Sequence, residues 1–405
     1  MRGSLQGPDL LFVIGGRATP TLRGRGTGDY LGTDPRIGTL SVMPIPLRSN
    51  VLRMTPYTPG KPIDEVKREL GLSEVVKLAS NENPLGPSPL AIQAVQEAAQ
   101  QMHLYPDASG YSVKEKIATK FGVERNNVLL GNGSDELIHL LGLVLLEPGT
   151  NMVVGNPTFV RYDAAAHLAD IELRKVPLTE TWHHDLDAMA AACDSQTRLV
   201  FVANPHNPTG TVREKADFEA FLDKLPSTAV CVIDEAYVEY AADLDLPDSV
   251  GYVRQGRPVV ALRTFSKAYG LAGIRVGYGI APAEIVDAID RAREPFDVNS
   301  LAQIAAMAAL EDEKHLAESR QVNAEGMARI EALATELGLT TVPSRANFIC
   351  IHVKRPGQEV FDALLKRGVI VRSGGPLGMA DYVRVSIGTP DEVSAFLTAF
   401  REVMA

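Results

Sequence analysis

The sequence predicts an α/β protein: a large domain built on a mostly parallel, doubly wound sheet, and a smaller, discontinuous α+β domain. Three observations predict this. From about Asp64, short apolar runs alternate with stretches of helical period, the pattern of helices laid on both faces of a parallel sheet. After about Ala305 the pattern changes, and long helices give way to short strands. At 405 residues the chain exceeds one typical core, so a large domain and a smaller one are expected.

Residues 1–42 are rich in Gly, Arg, Pro and Thr, show no sustained period and are expected to form a disordered extension. Their apolar run, Leu10-Leu-Phe-Val-Ile14, is short for a signal-peptide core, and Arg2 and Asp9 before it carry no net positive charge. Residues 43–96 read as an N-terminal arm and part of the small domain, 97–304 as the large domain, and 305–405 as the rest of the small domain. Residues 89–102 read as a helix with Ser88 as N-cap and apolar Leu90, Ile92, Ala94, Val95 and Ala98. Val128-Leu-Leu130 runs into Gly131-Asn-Gly-Ser134 and then apolar residues 137–146: strand, glycine turn, helix. Further strands are expected at 152–154, 171–173, 199–202, 230–233, 259–262 and 276–280. The small domain should hold strands at 348–352, 369–371 and 382–387 and a closing helix at 392–403.

Three segments carry chemistry. In Arg263-Thr-Phe-Ser-Lys-Ala-Tyr-Gly-Leu-Ala-Gly-Ile-Arg275, Lys267 lies among Thr264, Ser266 and Arg275, the group types that hold a phosphate dianion. A lysine beside such a cradle can condense with a phosphorylated aldehyde such as pyridoxal 5'-phosphate (PLP); a lone loop lysine is otherwise a solvated charge. Val230-Cys-Val-Ile-Asp234 delivers a carboxylate at a strand's C-terminal end, where open α/β sheets bind ligands. Asp234 is placed to pair with a protonated pyridine nitrogen, and Tyr237 to reach the ring hydroxyl. Asn207, in Asn204-Pro-His-Asn-Pro-Thr-Gly210, offers an amide to the same ring oxygen. The bland alternatives are a helix cap for Asp234 and a turn former for Asn207. Gly133, Ser134 and Asp135 open a helix whose backbone N–H groups suit an anion; a plain glycine turn is the alternative.

The net charge of −10 argues against nucleic-acid and anionic-membrane partners. No run is long enough to span a bilayer. Cys193, Cys231 and Cys350 make an odd, sparse set that fits a reducing, cytoplasmic compartment rather than a disulfide framework. No metal-ligand spacing is apparent; His183 and His184 adjoin without partners.

From about Pro56 to the C-terminus the chain resembles the fold-type I PLP-dependent aminotransferases, and among them the histidinol-phosphate aminotransferases. The resemblance rests on Ala79-Ser-Asn-Glu-Asn-Pro-Leu-Gly86, Tyr105-Pro-Asp107, Gly131-Asn-Gly-Ser-Asp-Glu136, Asn204-Pro-His-Asn-Pro-Thr-Gly210, Asp234-Glu-Ala-Tyr237, the Lys267 segment, Ala346-Asn-Phe348 and Tyr382-Val-Arg-Val385. It implies amino transfer between L-glutamate and imidazole-acetol phosphate, giving histidinol phosphate, with PLP on Lys267. It implies phosphate contacts from Ser134, Thr264, Ser266 and Arg275, and a ring stacked by Phe159, whose alternative is a core position. Arg384 is the expected substrate anion clamp, an exposed ion pair being its alternative, and Arg372 the second cation. Tyr57, Asn83 and Asn347 fall in motifs that line the substrate side. Tyr105 would reach the cofactor of a neighbouring subunit, which implies a homodimer. The family begins shortly before Thr55-Pro-Tyr57, so Met43 is an expected start and residues 1–42 are expected to be dispensable. Aromatic aminotransferases, threonine-phosphate decarboxylases and non-catalytic PLP-binding regulators share many of these motifs.

Overall fold

Seven strands pair into one sheet, in the spatial order Val128–Gly131, Gly277–Ile280, Val259–Thr264, Val230–Asp234, Thr197–Ala203, Asn151–Asn156, Glu172–Pro177. The computed structural model describes residues 45–54, 56 and 61–405. The expected extension over residues 1–42, Met43 and Tyr57 lie outside the described residues. Arg48–Ala405 forms one compact body.

The central strands are buried on both faces, so they read as continuous Val/Ile/Leu/Ala runs rather than alternating ones. The edge strand Glu172–Pro177 is largely accessible and carries Glu172, Arg174 and Lys175, charges that discourage pairing with another chain. Pairing is parallel among the five strands from Val259–Thr264 to Glu172–Pro177. Gly277–Ile280 runs antiparallel to both neighbours, a departure that a strand read from its apolar run alone does not reveal. It arises because the chain returns from the Lys267 loop without a crossover helix. Gly277 has to be glycine: a Cβ there would lie 2.5 Å from the backbone nitrogen of Ser134, where the helix Ser134–Leu145 begins.

A second, antiparallel sheet has the order Arg372–Ser373, Tyr382–Ser386, Phe348–His352, Thr340–Val342. Leu78, Ile330, Ile349, Val383, Val385, Phe396 and their neighbours form its apolar core, between that sheet and the helices Glu313–Glu336 and Pro390–Met404. The closing helix starts two residues before its expected boundary. Pro390 occupies its first turn, and Thr389 and Glu392 form a reciprocal capping box. The expected strand 369–371 is divided: Val369–Ile370 pairs in parallel with Val76–Lys77, and Arg372–Ser373 crosses to Tyr382–Ser386. Ser88 accepts from the Ala91 amide as the expected N-cap, but the α-helix ends at Ala98 and a 3-10 turn, Ala99–Gln101, completes the stretch.

Among the described residues no helix is long and apolar enough to cross a membrane. Cys231 and Cys350 are buried, Cys193 is half-buried, and all three are free thiols.

Candidate active site

Asp234 is the last residue of its strand, flanked in register by Ala203 and Leu262 at the C-terminal edge of the parallel sheet. It begins no helix, which sets aside the cap reading: the next short helical turn is preceded by Tyr237. Tyr162 donates its hydroxyl to Asp234 Oδ2 at 2.6 Å, and the Ala236 amide donates to Oδ1 at 3.2 Å. Burial pushes the Asp234 carboxyl up to about 6, against the opposing influence of the Tyr162 hydrogen bond.

This shift has a testable consequence. The folded chain holds the Asp234 proton more tightly than the unfolded chain, whose carboxylate titrates near 4. Raising the pH therefore removes stability: the penalty is absent below the unfolded value and complete above the folded one. In urea unfolding of the cofactor-free chain, the Asp234→Asn variant should gain on the parent by about 2 kcal/mol between pH 4 and 7. A pH-independent difference would contradict this account.

A cluster of phosphate-type donors lies where Val259–Thr264 ends and Gly277–Ile280 begins. Thr264 Oγ1 donates to Ser266 Oγ at 3.0 Å, and the Ser266 amide donates back to Thr264 Oγ1 at 3.1 Å. Arg275 Nη1 reaches Ser266 Oγ at 3.4 Å and is anchored on the Ala272 carbonyl at 2.9 Å. Arg275 has a left-handed φ of 61°, rare for a non-glycine residue and most often retained at functional positions. Its guanidinium lies against Gly133, where any Cβ would collide with Nη2. Ser134 and Asp135 open the adjoining helix. Among the described residues Arg275 has no carboxylate partner. An arginine, two hydroxyls and a helix N-terminus gathered in one place suit a phosphate dianion.

The segment Ala79–Glu82 stitches the other half of the site together through consecutive carbonyls. Arg384 Nη2 donates to Ala79 O at 3.3 Å, Lys267 Nζ to Ser80 O at 3.2 Å, and Asn347 Nδ2 to Asn81 O at 3.0 Å and Glu82 O at 3.4 Å. Asn81, at φ 56°, donates Nδ2 to the Tyr237 hydroxyl at 3.0 Å and accepts from Ser386 Oγ at 2.7 Å. Lys267 Nζ stands 5.7 Å from the centre of the Tyr237 ring. Lys267, Tyr237 and Arg384 are thereby brought around one short stretch of backbone.

Arg384 is buried, donates Nη1 to Asn207 Oδ1 at 2.8 Å, and lies over the Phe348 ring at 5.0 Å. That bond orients Asn207 by its carbonyl oxygen and keeps its amide available as a donor. Burial also sets aside the exposed-ion-pair reading of Arg384. Arg372 and Arg384 are direct register partners on neighbouring antiparallel strands, so the two side chains share one face of the sheet.

Other expected site residues are placed differently. Asn83 is an internal tie: its amide donates to Ala268 O at 2.9 Å and Ser319 Oγ at 2.8 Å, and its carbonyl accepts from the Leu85 amide at 3.0 Å. It fastens the Ala79–Gly86 segment to the Lys267 loop and has no donor left for a substrate. Phe159 is half-buried and meets Tyr162 edge-to-face at 5.8 Å, one ring away from Asp234. Tyr105 is 83% exposed and stacks on Phe296 at 4.7 Å. Sequence reasoning missed Asn81, Tyr162 and Ser386. Asn81 stands inside the Ala79–Gly86 motif, where its side chain gives no sign of its partners. Tyr162 in Val160-Arg-Tyr162 looks like any core aromatic of an amphipathic helix.

A buried carboxylate, a phosphate cradle, a lysine amine, and a tyrosine and an amide aimed at one region fit PLP group by group. Among the described residues no cluster of His, Cys, Asp or Glu forms a metal site.

The sequence matches the family of class I and II aminotransferases over residues 73–400. It is 50% identical to a histidinol-phosphate aminotransferase of Moorella thermoacetica over 88% of this chain and 93% of that protein. It is 45% identical to one of Bacillus licheniformis over 87% of this chain and 97% of that protein. The crystal structure of histidinol-phosphate aminotransferase from Sinorhizobium meliloti in complex with pyridoxal-5'-phosphate superposes with a TM-score of 0.82 at 28% identity, covering 90% of this chain and 98% of that one. Identity at this level, sustained over nearly nine-tenths of the chain, makes this chain a class I and II aminotransferase of the histidinol-phosphate aminotransferase family.

Proposed function

We propose that this chain transfers an amino group between L-glutamate and imidazole-acetol phosphate, forming histidinol phosphate and 2-oxoglutarate, with PLP as cofactor. The observation that carries the substrate reading is the pairing of Arg372 with Arg384 across adjacent antiparallel strands. Two guanidinium side chains on one face of the sheet can offer an anion charge-assisted contacts from adjacent strands. Histidinol phosphate brings a phosphate and no carboxylate, and glutamate brings two carboxylates. Both suit bidentate guanidinium recognition.

Bound PLP supplies an electron sink for the carbanion at the substrate Cα. Asp234 would hold the ring nitrogen protonated. Ser134, Thr264, Ser266 and Arg275 would bind the phosphate, with Gly133 and Asp135 shaping the helix start, and Phe159 would flank the ring. Tyr237 and Asn207 would donate to the ring oxygen. Lys267 would carry the cofactor, and its Nζ, tethered beside the reacting carbon, is the base that would move the Cα proton. Asn347 would line the substrate side, as would Tyr57.

We also propose a cytoplasmic homodimer. The support is a run of exposed apolar groups, Met102, Leu104 and Tyr105, beside Phe296. Solvent contact at four such side chains favours a covering partner, and a second copy would bring Tyr105 to its neighbour's cofactor. A division into a large and a small domain is likewise a proposal, supported by the separate apolar cores of the two large sheets; the large-sheet core takes in Ala91 before the expected 96/97 boundary and Ala305 to Leu316 after 304/305.

Specificity is tested by kcat/KM on histidinol phosphate, histidinol, phenylalanine and phosphothreonine. Histidinol phosphate should lead. Arg372→Ala should lower it about 10- to 150-fold, the cost of a charge-assisted contact, and affect phenylalanine far less. Equal use of histidinol and histidinol phosphate, or preference for phenylalanine, would reassign the enzyme to aromatic substrates.

A further inference from the structure

Tyr162 belongs to none of the motifs that mark the site, yet its hydroxyl makes the shortest hydrogen bond that Asp234 receives. The ring is fully buried and stacked on Phe201 at 4.5 Å, which fixes the position of the phenolic oxygen. Both partners are shut away from solvent, so no water can replace this donor at Oδ2 without a rearrangement of the core.

We propose that Tyr162 is a positioning residue for the cofactor: it keeps Asp234 ionised and turned toward the ring nitrogen. The proposal rests on the reading of Asp234 as the partner of that nitrogen. The groups facing Asp234 explain why such a donor is needed. Burial favours the neutral acid, and the neighbouring charges of Asp135 and Glu235 push the same way; the Tyr162 bond is the largest influence opposing them, followed by the Ala236 amide. A neutral carboxyl would give up the charge that stabilises a pyridinium. Tyr162 cannot reverse its role, because burial and the adjoining Asp234 hold its own proton in place well beyond the physiological range. With Tyr162 on Oδ2 and Ala236 on Oδ1, the carboxylate plane is set before the cofactor arrives, so little reorganisation accompanies binding.

The test uses Tyr162→Phe, which keeps the ring and its stack. Dissociation constants are measured for PLP and for an analogue with carbon in place of the ring nitrogen. The variant should lose about ten- to hundredfold in affinity for PLP, the span of one hydrogen bond to a charged group, and almost nothing for the analogue. In the holoenzyme carrying 15N in the PLP ring, the deprotonation midpoint of that nitrogen should fall by about one to two pH units. Equal losses for both ligands, or no loss for either, would make Tyr162 a packing residue and overturn the proposal. A parent enzyme that does not distinguish PLP from the analogue would remove the Asp234 reading, and the proposal with it. If Tyr162→Phe does not fold, the pair Tyr162→Phe, Asp234→Asn carries the test, because it buries no charge. It should bind PLP as the Asp234→Asn enzyme does, and a further loss would overturn the proposal.

Discussion

Lys267→Ala should abolish turnover while leaving a protein that still binds PLP. The two effects separate because the lysine and the phosphate cradle are different parts of one loop. Thr264, Ser266 and Arg275 keep their mutual contacts without the Lys267 side chain, whose amine donates to Ser80 O on the opposite wall. Loss of a positioned base costs about 10²- to 10⁴-fold on its own. Single-turnover absorbance measurements check the rate, and dialysis against phosphate checks retention of the cofactor. Borohydride reduction of the parent followed by peptide mapping should place the pyridoxyl group on Lys267. Label on another lysine would remove the mechanism.

The second large effect is expected at Asp234. Asp234→Asn should fold, since the Asn carbonyl can still accept from Tyr162, and should lose most activity because an amide offers no charge to a pyridinium. Turnover within about threefold of the parent, well under 1 kcal/mol, would make Asp234 structural only. The two substitutions separate the roles. The Lys267 variant should bind cofactor and not turn over, whereas the Asp234 variant should bind PLP more weakly and still move protons slowly.

Much of this site is legible in the sequence because fold-type I chemistry places charged or hydroxyl residues at strand ends, where apolar runs stop abruptly. Asp234 after Val230-Cys-Val-Ile and Thr264 after Val259-Val-Ala-Leu are such places. What stays hidden depends on contacts between residues far apart in the chain. Asn83 carries the same side chain as Asn81 and Asn347, and its role as a tie follows from Ser319 standing opposite, 236 positions away. Tyr162 is a helix residue whose polar tip is invisible in an apolar period. The Gly277–Ile280 strand runs antiparallel to both of its neighbours, and direction leaves no mark in four residues. The division of the 369–373 stretch between two sheets follows from what Val76–Lys77 and Tyr382–Ser386 offer as partners.

The uneven reach of the contacts around the site also orders the assembly of the protein. Within the phosphate-binding loop itself the ties are short: Arg275 meets Ser266 nine positions away, and Thr264 meets Ser266 two positions away. On the substrate side they are long: Asn81 meets Ser386 and Ala79 meets Arg384 at separations of 305, and Asn81 meets Asn347 at 266. Closing a long loop costs more entropy before any contact rewards it. A refolding chain therefore completes its phosphate-binding loop while the Ala79–Glu82 segment is still searching for its partners. Cofactor present from the start has a half-built pocket to occupy, and the arginine face arrives last, over a ligand already in place.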